Sequence, residues 1–399
     1  MILPRRDSRV ACLGNTQTPR HRLLFLNCLD ITAHGAAQGR VKLELQYYPA
    51  AETEHRMLSL QFPSGASVPE SVDQMPESLR RFGFRTGMML WLFPHLLQRL
   101  RQVDAVVVYG VDLQMLVLTF LAARLTRTPV FNEITEHPHV LFAASRYKQW
   151  GTTVYERMLL RRFSGMIVIS SALERYVREL VPSMPIHVMP PIAEALMSPP
   201  AGGVRPGLFT YAGSLSEPKD GVISLVQAFD TVHRQRPDAR LRIFGHGSSI
   251  QRADLKAEIA ALGLEEVVQL HAPIPSDALI DALCESDILV HCRPKSKQAT
   301  FGFPTKLAEY LSCGRPVVTT ETSDLTLYLR DRESAFLVPP DDTAAFAQAM
   351  LAALADRAMA ESVGARGRQV FDAHFRADPV VARLGEWIGA RLHDRRAAR

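Results

Sequence analysis

An uninterrupted apolar run long enough to cross a bilayer is absent from the 399 residues. The greasiest stretch, Val111 to Leu125, is broken by Asp112, Gln114 and Arg124. It falls short of the roughly 20 residues that a span needs, so a buried helix is expected there. The first 22 residues, with charges interrupting every apolar segment, lack a signal-peptide core and read as a loose tail. Cysteine is scarce: Cys12, Cys28, Cys284, Cys292 and Cys313 are odd in number, widely spread and without paired metal-ligand spacing. That pattern excludes a disulfide framework and a zinc site, and it points to a reducing, cytoplasmic compartment. No basic stripe interleaved with aromatics is present, so nucleic acid is not an expected partner. Short-period repeats and long low-complexity tracts are also missing.

What is present is the balance of a folded globular chain, 47% apolar and 22% charged. Its length suits two domains of about 150–200 residues. The charge is uneven: residues 1–199 hold about 22 Lys and Arg against about 16 Asp and Glu, and the rest is near neutral. Arg80, Arg81, Arg85, Arg99 and Arg101 flank the apolar segment Met88 to Leu97, which contains Trp91 and Phe93. Two readings stand: a core-facing helix with a solvated basic edge, or a surface that rests on anionic lipid headgroups.

Short apolar runs alternate with helix-period segments, the pattern of parallel sheets covered by helices. Strands are predicted at 23–28, 105–109, 129–132, 166–169 and 187–189, with helices at 113–125 and 153–162. After the Pro- and Gly-rich stretch from Met197 to Gly207 the alternation starts afresh. Strands are predicted there at 208–212, 241–244, 267–270, 288–291, 317–319 and 336–338, with helices at 222–235, 277–284 and 344–355. The expected architecture is α/β: a first Rossmann-like doubly wound domain over 23–197, a second over 198–375, and a C-terminal helix over 376–399 packing back on the first. Two such domains place a cleft between the carboxyl ends of their sheets.

The densest motif runs from Ala299 to Thr319. Pro304 suits a first helical turn and Gly314 a C-terminal cap, so a helix is predicted from about Pro304 to Cys313. Its N–H groups suit a phosphate, and Lys306 and Glu309 share a face. A capped helix with an internal ion pair is the plainer reading. The second motif, Tyr211 to Val222, places a loop after a strand. There Gly213 allows close approach to the backbone, and Lys219 can neutralise a diphosphate. Gly245-His246-Gly247 lacks a third glycine, since position 250 is Ile, and makes a weak dinucleotide signature.

Together these segments resemble the donor domain of family 4 glycosyltransferases, a retaining family with the GT-B fold. The likeness rests on Gly213-Ser214-Leu215, Lys219-Asp220-Gly221, Ile243 to Gly247, Ser286 to Val290, Glu309, Gly314 to Val318 and Phe336 to Asp342. It covers most of residues 208–375. The chain departs at Phe301, which stands where the family has the first of two glutamates, and at Ser214, where many members carry Arg. The resemblance implies a nucleotide-diphosphate-sugar donor, no other cofactor and no metal, and the chain indeed lacks an Asp-x-Asp motif. It implies catalytic roles for Lys219, Glu309 and His137, with His139 as the second candidate histidine. Donor contacts are implied at Gly213, Ser214, Arg293, Gly302, Phe303, Thr305 and Lys306. Ser170 is expected to cap a helix. The expected acceptor is a lipid-linked saccharide, in polysaccharide or glycolipid synthesis, with peripheral contact at the inner face of the membrane through the first domain. A sugar-nucleotide epimerase, a phosphorylase and a catalytically inactive partner subunit are the alternatives, the last favoured by Phe301.

Overall fold

A computed structural model of the chain describes residues 21–27, 36–48, 53–59, 72–74, 84–142, 146–196 and 203–397. The tail over 1–20, Cys12, Cys28, Arg80, Arg81 and residues 197–202 of the expected linker lie outside the described residues. So does the loop after the first strand.

Two parallel sheets organise the molecule. The first contains β1 (His21–Asn27), β2 (Thr53–Ser59), β3 (Val72–Gln74), β4 (Ala105–Tyr109), β5 (Val130–Ile134), β6 (Gly165–Val168) and β7 (Ile186–Val188), in the order β3-β2-β1-β4-β5-β6-β7. The second contains β8 (Arg205–Ser214), β9 (Arg240–His246), β10 (Val268–His271), β11 (Ser286–His291), β12 (Val317–Thr320) and β13 (Phe336–Val338), in the order β10-β9-β8-β11-β12-β13. Strands buried on both faces read as unbroken apolar runs, which is why Val106, Val107 and Val108 are all fully covered. The order reverses beside β1 and beside β8, so each sheet has a switch point at its carboxyl edge.

Helices Phe84–Leu100 and Leu113–Thr126 share one apolar cluster with the 155–162 turns and one face of the first sheet. The second of these corrects a sequence expectation: it is not buried all round, because Val117, Leu121 and Leu125 face outward. Among the described residues no helix is long and apolar enough to cross a membrane. The opposite face of the first sheet is covered by helix Ala377–Ala397. Val381, Leu384, Ile388 and Leu392 of that helix pack on Leu23, Phe25, Val107 and Phe131. The chain therefore crosses between the domains twice. The two crossings lie side by side, with Ala193 N–H donating to Phe375 O and Ala377 N–H to Ala193 O, both at 3.0 Å.

Candidate active site

The loop after β8 is shaped by one buried carboxylate. Asp220 ends the short helix Glu217–Asp220 and turns inward, where its Oδ2 accepts from the Ser214 N–H at 3.0 Å. The Tyr211 hydroxyl lies 3.2 Å from the same oxygen and donates to Ser214 O at 2.6 Å. A Cβ on Gly213 would strike that hydroxyl. The glycine expected to admit a ligand thus admits the Tyr211 hydroxyl on that side. Gly221 takes φ +61°, and a Cβ there would run into the Cys292 carbonyl, so glycine is required on both counts. Lys219 rides on this pinned loop, partly exposed. Its ammonium has no hydrogen-bond or ion-pair partner among the described residues.

Lys306 opens helix Lys306–Ser312 and donates to both carboxylate oxygens of Glu309, at 3.1 and 2.9 Å. The helix begins two residues later than the proline pattern suggests. Thr305 precedes it with no side-chain cap, and Pro304 closes a tighter turn by accepting from Leu307 N–H at 3.0 Å. Tyr310 ties the helix to β8, its buried hydroxyl accepting from Ala212 N–H at 2.6 Å. At the helix end Cys313 meets the thiol of Cys284, two cysteines far apart in sequence.

Between these segments β9 ends beside β8, with Ser214 paired to His246. Desolvation, then the ammonium groups of Lys219 and Lys306, push the His246 imidazole below its ordinary value, with Asp220 opposing. Two cations from distant stretches of chain therefore act on one ring.

A third cation lies deeper. Arg293, just past β11, is 4% exposed. Its Nη2 donates to Gln298 O at 3.0 Å, while its buried Nε has no partner. Burial holds its guanidinium below the usual arginine value, against the pull of Asp220 and Glu136. Gly302 packs beside it; a Cβ there would sit 2.8 Å from Gln298 O and 3.5 Å from Arg293 Nη2. His291, two residues before Arg293 at the end of β11, has Nε2 3.8 Å from Asp220 Oδ1. Burial lowers the His291 imidazole to about 4, with Asp220 opposing and Arg293 and Lys219 adding to the effect. Phe303, expected at the donor, instead turns its ring into the core against Tyr328 and Phe375, both at 5.9 Å.

The first domain meets this edge from across the cleft. His137, at the carboxyl end of β5, is 5% exposed rather than free on a loop. Its ring packs at 4.4 Å from both Tyr176 and Phe301, and at 5.3 Å from His139. Burial, with His139 and Lys297 adding to it, lowers its imidazole to about 4, so it is neutral at pH 7. Phe301 of the second domain is thus an interdomain contact. Ser170 caps helix Ser171–Leu180 and also donates to Phe301 O. Three further polar residues at this junction carry no sequence signal of their role. Gln298 donates to Glu136 at 2.6 Å, and Asp324 accepts from both the N–H and the hydroxyl of Ser171 at 2.6 Å.

The family described as Glycosyl transferases group 1 matches residues 206–356, the second domain. A phosphatidyl-myo-inositol mannosyltransferase of Mycobacterium leprae is 28% identical over 244 residues, which is 59% of this chain and 63% of that relative. A D-inositol 3-phosphate glycosyltransferase of an Arthrobacter species is 30% identical over 176 residues, 44% of this chain and 40% of the relative. The matches thus span under two thirds of these relatives' lengths. Among solved structures, Anabaena Alr3699/HepE in complex with UDP superposes with a TM-score of 0.70 at 15% identity, over 92% of this chain and 100% of that one. Sucrose-phosphate synthase from Thermosynechococcus elongatus gives 0.74 at 17% identity, over 95% and 100%. The chain has the GT-B fold, two Rossmann-like domains that face each other across a cleft.

Proposed function

We propose that this protein is a glycosyltransferase that moves a sugar from a nucleotide-diphosphate-sugar to an acceptor hydroxyl, with retention and without a divalent ion. The observation that carries this reading is the convergence of Lys219, Lys306 and Arg293 at the carboxyl edge of the second sheet. His246 senses the first two, and His291 senses the first and third. Cations fixed before bond cleavage stabilise charge developing on a departing diphosphate, commonly the largest single term in such catalysis. The acceptor oxygen bonds to the anomeric carbon as the bond from that carbon to the diphosphate oxygen breaks. The acceptor's proton passes to the departing phosphate on the same face. Glu309, one turn from Lys306, takes ribose hydroxyls, exchanging its present ion pair for them. The UDP in the Anabaena neighbour supports a nucleotide donor, and the relatives' names support sugar transfer to an inositol-type or lipid-borne acceptor. We place the reaction at the inner face of the membrane, with a lipid-linked acceptor for polysaccharide or glycolipid synthesis.

Calorimetry with UDP, GDP and ADP tests the donor site. One of them binds, the matching nucleotide-sugar is consumed in the presence of EDTA, and NMR of the product gives the donor's anomeric configuration. An inverted product removes retention, and no binding of any nucleotide removes the enzyme reading. A second reading, an inactive partner subunit, draws on Phe301, whose ring packs on His137 where the resembling family has a carboxylate. Nucleotide binding without turnover on any sugar nucleotide would favour it.

A further inference from the structure

Eight large apolar side chains stand exposed among the described residues, and six of them belong to one layer of helices on the first domain. Leu90 lies on helix Phe84–Leu100, Val117, Leu121 and Leu125 on Leu113–Thr126, Trp150 on Arg146–Val154, and Met158 on the turn that continues it. The first two helices and the 155–162 turns bury their inner faces in one cluster against the same side of the first sheet, so these residues decorate its outer side. Val117, Leu121 and Leu125 are spaced four apart and make a stripe along one helix, Leu121 at 50% and Leu125 at 68% exposure. An ordinary surface helix points its polar residues outward. This one carries apolar residues on its outer face as well as its inner one.

The charge on the same layer is lopsided. Helix Ser171–Leu180, which shares the cluster, balances two arginines with Glu174 and Glu179, but residues 84–101 carry three arginines, 113–127 two, and 146–162 four arginines and a lysine, against one acid, Glu156. That acid is already engaged, accepting from the Tyr176 hydroxyl at 2.7 Å. Arg101, Arg124, Arg157, Arg161 and Arg162 are exposed, Arg101 just past one helix, Arg124 in the last turn of the next and the other three along the 155–162 turns. Cations in last turns are ordinary complements to the helix dipole. The dipole does not account for five basic residues within 146–162 or for the leucine stripe beside them.

We infer that this layer is a docking face for an anionic lipid bilayer, with the leucine stripe, Trp150 and Met158 seated among the acyl chains and the arginines on the headgroup phosphates. The occupant is a lipid surface because apolar side chains fringed by exposed cations match both of its chemistries. An apolar protein partner would leave the arginines uncompensated. The inference deepens the reading of the site as one that acts on lipid-borne acceptors. It rests on separate residues, none within the donor constellation.

The test is flotation of the full chain with phosphatidylcholine vesicles, with and without phosphatidylglycerol. Binding is expected only with phosphatidylglycerol, falling steeply as sodium chloride is raised. Arg157→Ser with Arg161→Ser is expected to weaken it about thirtyfold. Leu121→Asp with Leu125→Asp is expected to abolish it while circular dichroism and nucleotide calorimetry stay unchanged. Equal binding to neutral vesicles, or wild-type flotation of the aspartate variant, overturns the inference. So does a wild-type dimer that the aspartate variant converts to monomer, which would make this face a self-association surface. Lost flotation with intact nucleotide binding separates this face from the donor site. Normal flotation with no nucleotide binding would defeat the donor reading alone.

Discussion

Truncating Lys219 removes a charge without opening a cavity, because its ammonium touches no other described polar group and the loop beneath it is held by Asp220, Tyr211 and Gly221. Lys219→Ala is therefore expected to lower kcat by about 100- to 1,000-fold, the cost of one transition-state donor. It should move stability by less than about 0.5 kcal/mol. A urea titration beside steady-state kinetics separates the two effects, and near-normal turnover would remove the leaving-group role. His291 gives a second expectation, with a sign that can be worked out. Its folded value is about 4 against an ordinary 6.5, so the unfolded chain takes up a proton first as pH falls. Stability is then intact above about 6.5 and declines toward about 4, by roughly 3 kcal/mol from this residue. Urea midpoints measured across that range should show the slope, and His291→Gln should make it shallower, leaving the share that His137 and His187 contribute. Lys219, Lys306 and Glu309 were legible in the sequence because loop and helix signals placed them on a sheet edge. The surroundings of His137 were not, since burial by Phe301 and Tyr176 comes from the other domain and from a later helix.

Tyr310 sets the position of the helix that carries Lys306 and Glu309. Its hydroxyl is the partner of a buried Ala212 N–H in the strand leading to the Lys219 loop. Tyr310→Phe leaves that donor unsatisfied and is expected to cost about 1–3 kcal/mol, seen as a lower urea midpoint. It should also raise the donor KM more than it lowers kcat, because both phosphate-side segments lose a common support. A variant that loses stability with unchanged KM would limit Tyr310 to the core. At this scale the second sheet was readable strand by strand, since each strand is an apolar run bounded by turn residues. In the first domain, β2 and β3 escaped. Thr53–Ser59 reads TEHRMLS and Val72–Gln74 has three residues, so neither presents the continuous apolar signal of a central parallel strand. The helix over 146–162 was read only in its second half. That half is a π turn followed by a 3₁₀ turn rather than the α-helix expected, and the half that escaped, Arg146–Val154, reads RYKQWGTTV with few apolar residues to mark a period.

Several polar pairs join the two domains, and Asp324 makes two of the bonds. It belongs to the second domain yet stands at the start of helix Ser171–Leu180 in the first, accepting from Ser171 twice. A carboxylate there satisfies an orphan N–H and opposes the positive end of the helix dipole. Gln298 with Glu136 and Phe301 with His137 lie at the same junction. Interfaces between domains of one chain commonly permit relative motion, and the width of the cleft depends on how far the domains close. Asp324→Ala is expected to weaken the contact by about 1–2 kcal/mol. Small-angle scattering of the nucleotide-free protein should show a larger radius of gyration, and the donor KM should rise with kcat nearly constant. Asp324→Asn keeps one acceptor oxygen and should recover part of both effects. Loss of stability alone, with wild-type scattering and kinetics, would mean that the closed arrangement is held by the paired crossings at Ala193 and Phe375, which run through the backbone and no side-chain substitution removes.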